Sequence, residues 1–267
     1  MPAEISVVIP TFRRPLLLKQ AIESALAQHV PVEVIVVDDS PERSADPVVK
    51  NFGSMVHYFA NPSPSGGWPS RVRNLGWPHA TAPLIHFLDD DDQVPVGHYL
   101  KIIDTFASHP KVGVVFGVVA PFADDDGEQL ERELSFFDSS ARRARAASRW
   151  GTKLGFSMQM FFCPTLLVCS AAIVRTEVVR TLGGFDPKAR VSEDVEFYAR
   201  AIRRSGAKFL NRKALHYRIN PTSLMRSTSA DEVRQTYQLM YEKYRRDYGS
   251  RQLLALKVLA RTLGRLG

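Results

Sequence analysis

Leu84-Ile85-His86-Phe87-Leu88 runs straight into Asp89-Asp90-Asp91-Asp92. An apolar run of that length reads as a buried strand, so four carboxylates fall at its C-terminal end. No other stretch constrains the fold as strongly. In an open α/β sheet, ligands bind just beyond the carboxyl ends of the strands. Adjacent acids repel one another, and either solvation or a divalent cation must offset the repulsion. A hard cation such as Mn2+ or Mg2+ takes oxygen ligands, often one or two carboxylates plus substrate phosphates. A solvated acidic turn is the bland alternative, and the buried strand before it argues against that.

The stretches around the acid run support an alternating α/β pattern. Ile5-Ser6-Val7-Val8-Ile9 predicts a first strand, stopped by Pro10. Pro15 suits the first turn of a helix, and an apolar stripe from Leu17 to Leu26 carries that helix to about Gln28. Val32 to Val37 predicts a second strand ending in Asp38-Asp39-Ser40. A strand–helix–strand unit of this kind favours parallel pairing with a right-handed crossover. Asp46 is expected to cap a short helix opened by Pro47, and Val56 to Phe59 to form a third strand. Asn61 to Trp68, with Pro62, Pro64, Gly66 and Gly67, reads as a loop. A helix over Ser70–Gly76 follows, its N-terminus suited to an anion. Beyond the acid run the pattern predicts a helix from Val96 to Ser108 and a strand from Val112 to Val119.

The pattern changes between Pro121 and Pro164. Asp124-Asp125-Asp126-Gly127 reads as a solvated turn. Arg142, Arg143, Arg145 and Arg149 form a basic cluster, either a solvated helix face or a contact for an anionic acceptor. Leu166–Val174 predicts a strand, and Ser192 is a plausible cap for a helix over Glu193–Ser205. Lys208–Leu210 and Leu215–Ile219 read as short strands, and Asp231–Leu266 as mostly helical.

Five motifs in one order now carry a resemblance. They are Val7-Val8-Ile9-Pro10-Thr11, Val36-Val37-Asp38-Asp39-Ser40, Arg73-Asn74-Leu75-Gly76, Phe87-Leu88-Asp89-Asp90-Asp91-Asp92, and Gly184-Phe185-Asp186 followed by Glu193-Asp194. Each alone is weak; together, over roughly Ile5 to Asn220, they resemble the family 2 glycosyltransferases. The resemblance implies a GT-A fold: a Rossmann-like α/β mixed, mainly parallel sheet flanked by helices. Residues 1–226 would form that domain, 1–119 as a nucleotide-binding half and 120–226 as an acceptor-binding half. A C-terminal helical extension would span 227–267. The implied reaction moves a sugar, with inversion, from a nucleotide-diphosphate donor, in first place a UDP-sugar, to a glycan or lipid-linked acceptor.

The resemblance also assigns roles. Asp194 matches the catalytic base, which removes the acceptor hydroxyl's proton; its place near a helix N-terminus favours the ionised form. Asp39 matches the acid that accepts from the nucleotide base, with Asp38 left structural. Pro10 and Thr11 border the same crevice, and Arg73 matches the arginine near the nucleotide. The acid run fits an Asp-x-Asp template in two registers. In the preferred one Asp91 binds Mn2+ or Mg2+ and Asp89 or Asp90 reaches the ribose; Asp92 supports the shell, or binds the metal if the register slips by one. Arg71, Glu193 and Arg218 are candidates for donor or acceptor, and Arg226 for the diphosphate. Family members often carry a histidine after a late Tyr-Arg, but Asn220 follows Tyr217-Arg218-Ile219 here. His216, on the strand itself, is therefore read as core or as a support behind the ligands, not as a ligand.

Three rival classes bear on the reading. A nucleotidyltransferase would carry a Gly-rich loop after the first strand, where this chain has Pro10-Thr11-Phe12-Arg13-Arg14. A non-catalytic nucleotide-sugar-binding protein would be expected to lack some of the acids. A net charge of +7 suits nucleotides, anionic lipids or nucleic acid alike, but no nucleic-acid motif is present and no nucleic-acid partner is expected. Cys163 and Cys169 lack metal-site spacing, which fits buried thiols in a reducing compartment. No leader is expected before the first strand, and the longest apolar stretch is broken by Pro164 and Ser170. The expected location is cytoplasmic, with peripheral contact at the inner face of a membrane through the C-terminal helix. There Leu256, Leu259, Ala260 and Leu263 share one face while Lys257, Arg261 and Arg265 share another, as in a basic amphipathic helix.

Overall fold

The computed structural model describes residues 1–123, 127–163, 166–219 and 228–263. Seven strands build one sheet: β1 (Ile5–Thr11), β2 (Val32–Asp38), β3 (Val56–Ala60), β4 (Leu84–Phe87), β5 (Val114–Phe122), β6 (Ala172–Arg175) and β7 (Ala207–Arg218). Their order is β3-β2-β1-β4-β6-β5-β7. The β1, β2, β3 and β4 neighbours pair in parallel, as do β5 and β7; β6 alone runs antiparallel to both of its neighbours. The mixed, mainly parallel sheet expected from the motifs is the sheet found. From β1 the chain crosses to β2 on one side and later returns to β4 on the other. That reversal is the topological switch point, where a ligand crevice opens at the strand ends.

Both faces of the sheet are covered. Ile5, Val7 and Ile9 of β1 point to one core with α1 (Pro15–Leu26) and α4 (His98–Ser108), while Val8 points to the other. Alternation along a strand forces this split. The second core takes α3 (Pro69–Gly76), α5 (Glu128–Ser148), α6 (Phe156–Phe162), α7 (Thr176–Leu182) and α8 (Glu193–Ser205). Both C-terminal helices, α9 (Ala230–Tyr248) and α10 (Ser250–Leu263), close over it. A short α2 (Asp46–Val49) links β2 to β3.

Several sequence expectations change. Pro10 does not stop β1: the strand continues to Thr11, whose carbonyl accepts the Asp39 N–H at 2.9 Å. Asp46 lies inside the first turn of α2 and caps nothing; its carboxylate accepts from Lys50. Ser192 sits at the cap position of α8 but in a left-handed conformation, φ 52°, and its side chain makes no capping bond. The predicted strand Leu166–Val174 shrinks to β6. Its first half is buried without pairing and turns through Cys169–Ala171; apolar character alone cannot tell the two states apart. The two short late strands are one, β7, whose pairing with β5 shifts register around Val118. The polar Asn211-Arg212-Lys213 within it is exposed, which hid its continuity. Helix α5 went unread because its buried stripe is Phe137, Ser140, Ala141, Ala144 and Ala147, too small and polar to look apolar. Within it, Arg142 pairs with Asp138 on the exposed face.

Asp124, Asp125 and Asp126, and Asn220 through Ser227 with Arg226, lie outside the described residues, as do Arg265 and the Leu263 side chain. In α10, Leu256 and Ala260 are buried against the core and Leu259 packs beside them, with α6 and α9 as neighbours. The stripe expected to meet a membrane is thus covered by protein. Among the described residues no helix is long and apolar enough to cross a bilayer.

One clasp joins the two ends of the motif set. Asn74 on α3 donates to the Phe185 carbonyl at 2.8 Å and accepts the Phe185 N–H at 2.9 Å. Gly184, at φ 78°, lets the backbone come that close: a Cβ there would meet Asn74 Oδ1 and the Trp77 indole nitrogen, both at 2.4 Å. Gly184→Ala adds left-handed strain and a clash, and is expected to cost about 2–5 kcal/mol. A fall in the urea midpoint with an unchanged m-value would show it; an unchanged midpoint would mean the clasp yields without cost.

Candidate active site

A cleft of about 360 Å³ opens over the ends of β1 and β4, within the usual range for ligand pockets. Pro10, Thr11, Asp39, Arg73, Asp89, Asp90, Asp91, Glu193, Asp194 and Arg218 all line it. Ten residues singled out from sequence therefore converge on one space. Two others do not reach it. Asp92 is 1 % exposed, and its carboxylate accepts the Arg218 N–H at 3.0 Å. Arg71 lies outside, stacked 3.9 Å from the Trp68 ring centre and donating to the Pro187 carbonyl.

The chain places the acids by tying each one down. Asp90 accepts from Thr11 Oγ1 at 2.7 Å, so the end of β1 holds the loop after β4. Arg14 Nη1 lies 3.2 Å from Asp90 Oδ1 and 2.8 Å from Asp91 Oδ2. Arg218 donates through Nε to the Asp91 carbonyl and through Nη2 to Gln20 of α1. Burial, then the charge of Asp91, pushes the Asp90 carboxyl up to about 7. Burial and Asp89 likewise raise Asp91, and burial and Asp91 raise Asp92 well above the carboxylate range. The fold thus concentrates negative charge where a cation would relieve it.

Arg73 was expected against the nucleotide. It lines the cleft, is 2 % exposed and bridges two acids: Nη2 to Asp89 Oδ1 at 2.5 Å and Nη1 to Glu193 Oε1 at 2.6 Å. Burial opposes its charge, but Asp89 and Glu193 keep it firmly protonated. Its Nε has no hydrogen-bond partner among the described residues. Arg73 therefore locks the acid loop to the start of α8.

Asp194 follows Glu193 at that start. Its Oδ2 accepts the Cys169 N–H at 3.0 Å and its Oδ1 the Val195 N–H at 2.8 Å. Sequence reasoning expected the helix N-terminus to keep it deprotonated at neutral pH. Instead burial, with the adjacent Glu193 charge, raises it to about 7. Desolvation outweighs the backbone N–H bonds here, and a carboxyl group poised near neutrality results.

Asp39 is fully buried, and its carboxylate accepts from Asn61 Nδ2, the Ser65 N–H, Ser65 Oγ and the Gly67 N–H, at 2.6–2.9 Å. It holds the Asn61–Trp68 loop as one wall of the cleft. Asp38 is equally enclosed, accepting from Ser40, Ala45 and Tyr58. Sequence reasoning missed Arg14, Cys169 and Ser170. Ser170 Oγ accepts the Asp89 N–H at 3.0 Å, and its carbonyl accepts from His86 Nε2 at 2.7 Å. Arg14 was legible as a cation in the turn after β1; the other two lay in what read as plain strand.

Among the described residues no three His, Cys, Asp or Glu side chains converge as a ready metal cage. Mg2+ and Mn2+ sites completed by substrate phosphates need fewer, one or two carboxylates. Asp91 and Asp89, all-oxygen donors facing the cleft, fit that kind of site. His216 pairs its backbone with Gln93 and stays outside the cleft.

A parallel half-sheet with an acid run at its switch point, locked to a Glu-Asp pair opening a helix across the cleft, is the architecture of GT-A glycosyltransferases. The chain belongs to Glycosyl transferase family 2, whose sequence model matches residues 6–181. The match ends before Glu193-Asp194, so the base side rests on the geometry above. The chain is 36 % identical over 98 residues to a Campylobacter jejuni GalNAc(5)-diNAcBac-PP-undecaprenol beta-1,3-glucosyltransferase, covering 35 % of this chain and 31 % of that protein. It is 24 % identical over 237 residues to the Bacillus subtilis minor teichoic acid biosynthesis protein GgaB, covering 86 % and 25 %. The chain thus spans a third or less of the length of these relatives. Among solved structures, S. aureus TarS 1-349 in complex with UDP-GlcNAc superposes with TM-score 0.68 at 18 % identity, over 91 % of this chain and 66 % of that one. The mannosyltransferase PcManGT from Pyrobaculum calidifontis, in complex with GDP-Man and Mn2+, gives 0.65 at 17 %, over 92 % and 65 %. At such identities these two bear on the fold alone.

Proposed function

We propose that this glycosyltransferase moves a sugar from a nucleotide-diphosphate donor, a UDP-sugar, to a hydroxyl on a glycan or lipid-linked acceptor. Transfer inverts the anomeric carbon and depends on Mn2+ or Mg2+. One observation carries the reading: the acid run after β4 and Asp194 on α8 line the same cleft. The similarity to the undecaprenol-linked glucosyltransferase and to GgaB supports the acceptor class.

In this reading residues 1–119 hold the nucleotide and 120–226 the acceptor, with 227–267 as helical extension. Asp39 acts on the base through the loop it holds, and Asp89 or Asp90 reaches the ribose. Asp91 would hold the metal, which would supply positive charge to the departing diphosphate. Asp194 takes the proton of the acceptor hydroxyl as its oxygen attacks the anomeric carbon from the face opposite the diphosphate. The carbon–oxygen bond to the diphosphate breaks, and its electron pair leaves with the nucleoside diphosphate. Arg73 and Glu193 keep Asp194 and the acid loop in fixed relation. A cytoplasmic location belongs to the same reading. Contact with an anionic membrane would use Arg251, Lys257 and Arg261 on the exposed side of α10, with Leu254 and Val258 outward among them.

Incubation of the chain with Mn2+ and UDP-GlcNAc, UDP-glucose or GDP-mannose tests the proposal. Release of nucleoside diphosphate, stimulated by a hydroxyl acceptor, is expected. Release of pyrophosphate would point to nucleotidyl transfer, and no turnover with any donor would sink the donor assignment.

A further inference from the structure

Two consecutive arginines follow β1, and the backbone sends them in opposite directions. Arg13 adopts φ 59°, and its guanidinium reaches outward to Glu42 at 2.7 Å. Arg14, at the residue before α1 and fixed by Pro15 behind it, turns into the cleft. There its Nη1 lies 2.8 Å from Asp91 Oδ2 and 3.2 Å from Asp90 Oδ1. Its side chain keeps 29 % exposure, so a held backbone carries a tip with room to swing.

Asp91 is the carboxylate assigned above to the metal. A divalent cation on Asp91 Oδ2 would stand about 2.0–2.1 Å away, on the oxygen that the guanidinium now holds. Two cations a few ångströms apart also repel, and more strongly away from bulk water. Arg14 and the metal therefore compete for Asp91. A diphosphate entering the cleft changes the balance, because Arg14 also lines that cleft and guanidinium binds phosphate oxygens through paired hydrogen bonds.

We propose that Arg14 is an internal rival of the metal: it holds Asp91 until a nucleoside diphosphate draws it away, so metal and nucleotide bind as a coupled pair. The inference rests on Asp91 being the metal ligand. It makes Arg14 unfavourable for the metal alone and favourable for the nucleotide. By linkage, each ligand then tightens the other by one common factor.

Mn2+ binding to the full chain, followed by electron paramagnetic resonance of free Mn2+, with and without UDP, tests this. In Arg14→Gln, Mn2+ without nucleotide is expected to bind about tenfold more tightly, the gain from releasing a site mostly held in another state. UDP affinity at saturating Mn2+ is expected to fall, and the factor by which UDP tightens Mn2+ to shrink towards one. Arg14→Lys, which keeps the charge, should stay near wild type for Mn2+ alone and guards against a misfolded glutamine variant. Equal or weaker Mn2+ binding by a folded Arg14→Gln overturns the inference and leaves the metal site standing. Absence of Mn2+ binding by both proteins, with or without UDP, overturns the metal assignment and this inference with it.

Discussion

Asp194→Asn is expected to lower the transfer rate on the order of 10²–10⁴-fold while donor affinity stays nearly constant. The amide keeps the shape of the side chain and can still accept one of the two N–H bonds from Cys169 and Val195. It cannot take the acceptor's proton. The wild-type pH profile makes the same point from another side. Burial and Glu193 raise the Asp194 carboxyl to about 7, and the working base is the ionised form. Turnover should therefore climb with pH through neutrality, about tenfold per unit below 7, and level off above it. The residual activity of Asp194→Asn should lack that limb. A rate loss accompanied by collapse of UDP affinity would place Asp194 in the nucleotide site instead. A wild-type profile flat between pH 5 and 8 would deny it the role of base.

The parts legible in sequence were those where local chemistry and global fold agree. Strands buried on both faces announce themselves as apolar runs, and β1, β2 and β4 were readable for that reason. The acids at their ends were readable because a carboxylate beside a buried strand is costly without a purpose. The partners of those acids were not. Asp39 grips Ser65 and Gly67, 26 and 28 residues away, and Arg73 bridges to Glu193 across 120. No periodicity encodes such pairs. Gly184-Phe185-Asp186 stood out as a motif, yet its reasons are remote: Asn74 clasps Phe185, and Lys243 of α9 sits 2.5 Å from the Asp186 carboxylate. The placing of the apolar stripe of α10 was hidden for a related reason. An apolar stripe looks the same whether lipid or protein covers it, and the choice was made by α6 and α9. The poise of Asp194 was hidden too, since its helix position and its burial push in opposite directions and only packing decides between them.

Asp91→Asn is expected to remove Mn2+-dependent turnover by about a hundredfold or more, since even outer partners of metal ligands are worth about 10–100-fold. A neutral amide is a poor ligand for a hard cation, and Asp91 lines the cleft with its Oδ2 beside Arg14. Mn2+-dependent UDP binding should weaken in parallel, whereas UDP binding in EDTA should change little. Asp92→Asn is the decisive companion. Asp92 lies buried under the loop, accepting the Arg218 N–H. Its substitution should lower the thermal midpoint and leave Mn2+ affinity close to wild type, because the altered group faces protein and not the cleft. The opposite pattern, Mn2+ affinity lost in Asp92→Asn and kept in Asp91→Asn, would shift the metal register by one residue. Full wild-type turnover in EDTA would remove the metal from the reaction. Arg14 and Arg218, the cations already at the acid loop, would then be the groups left to meet the charge of the departing diphosphate.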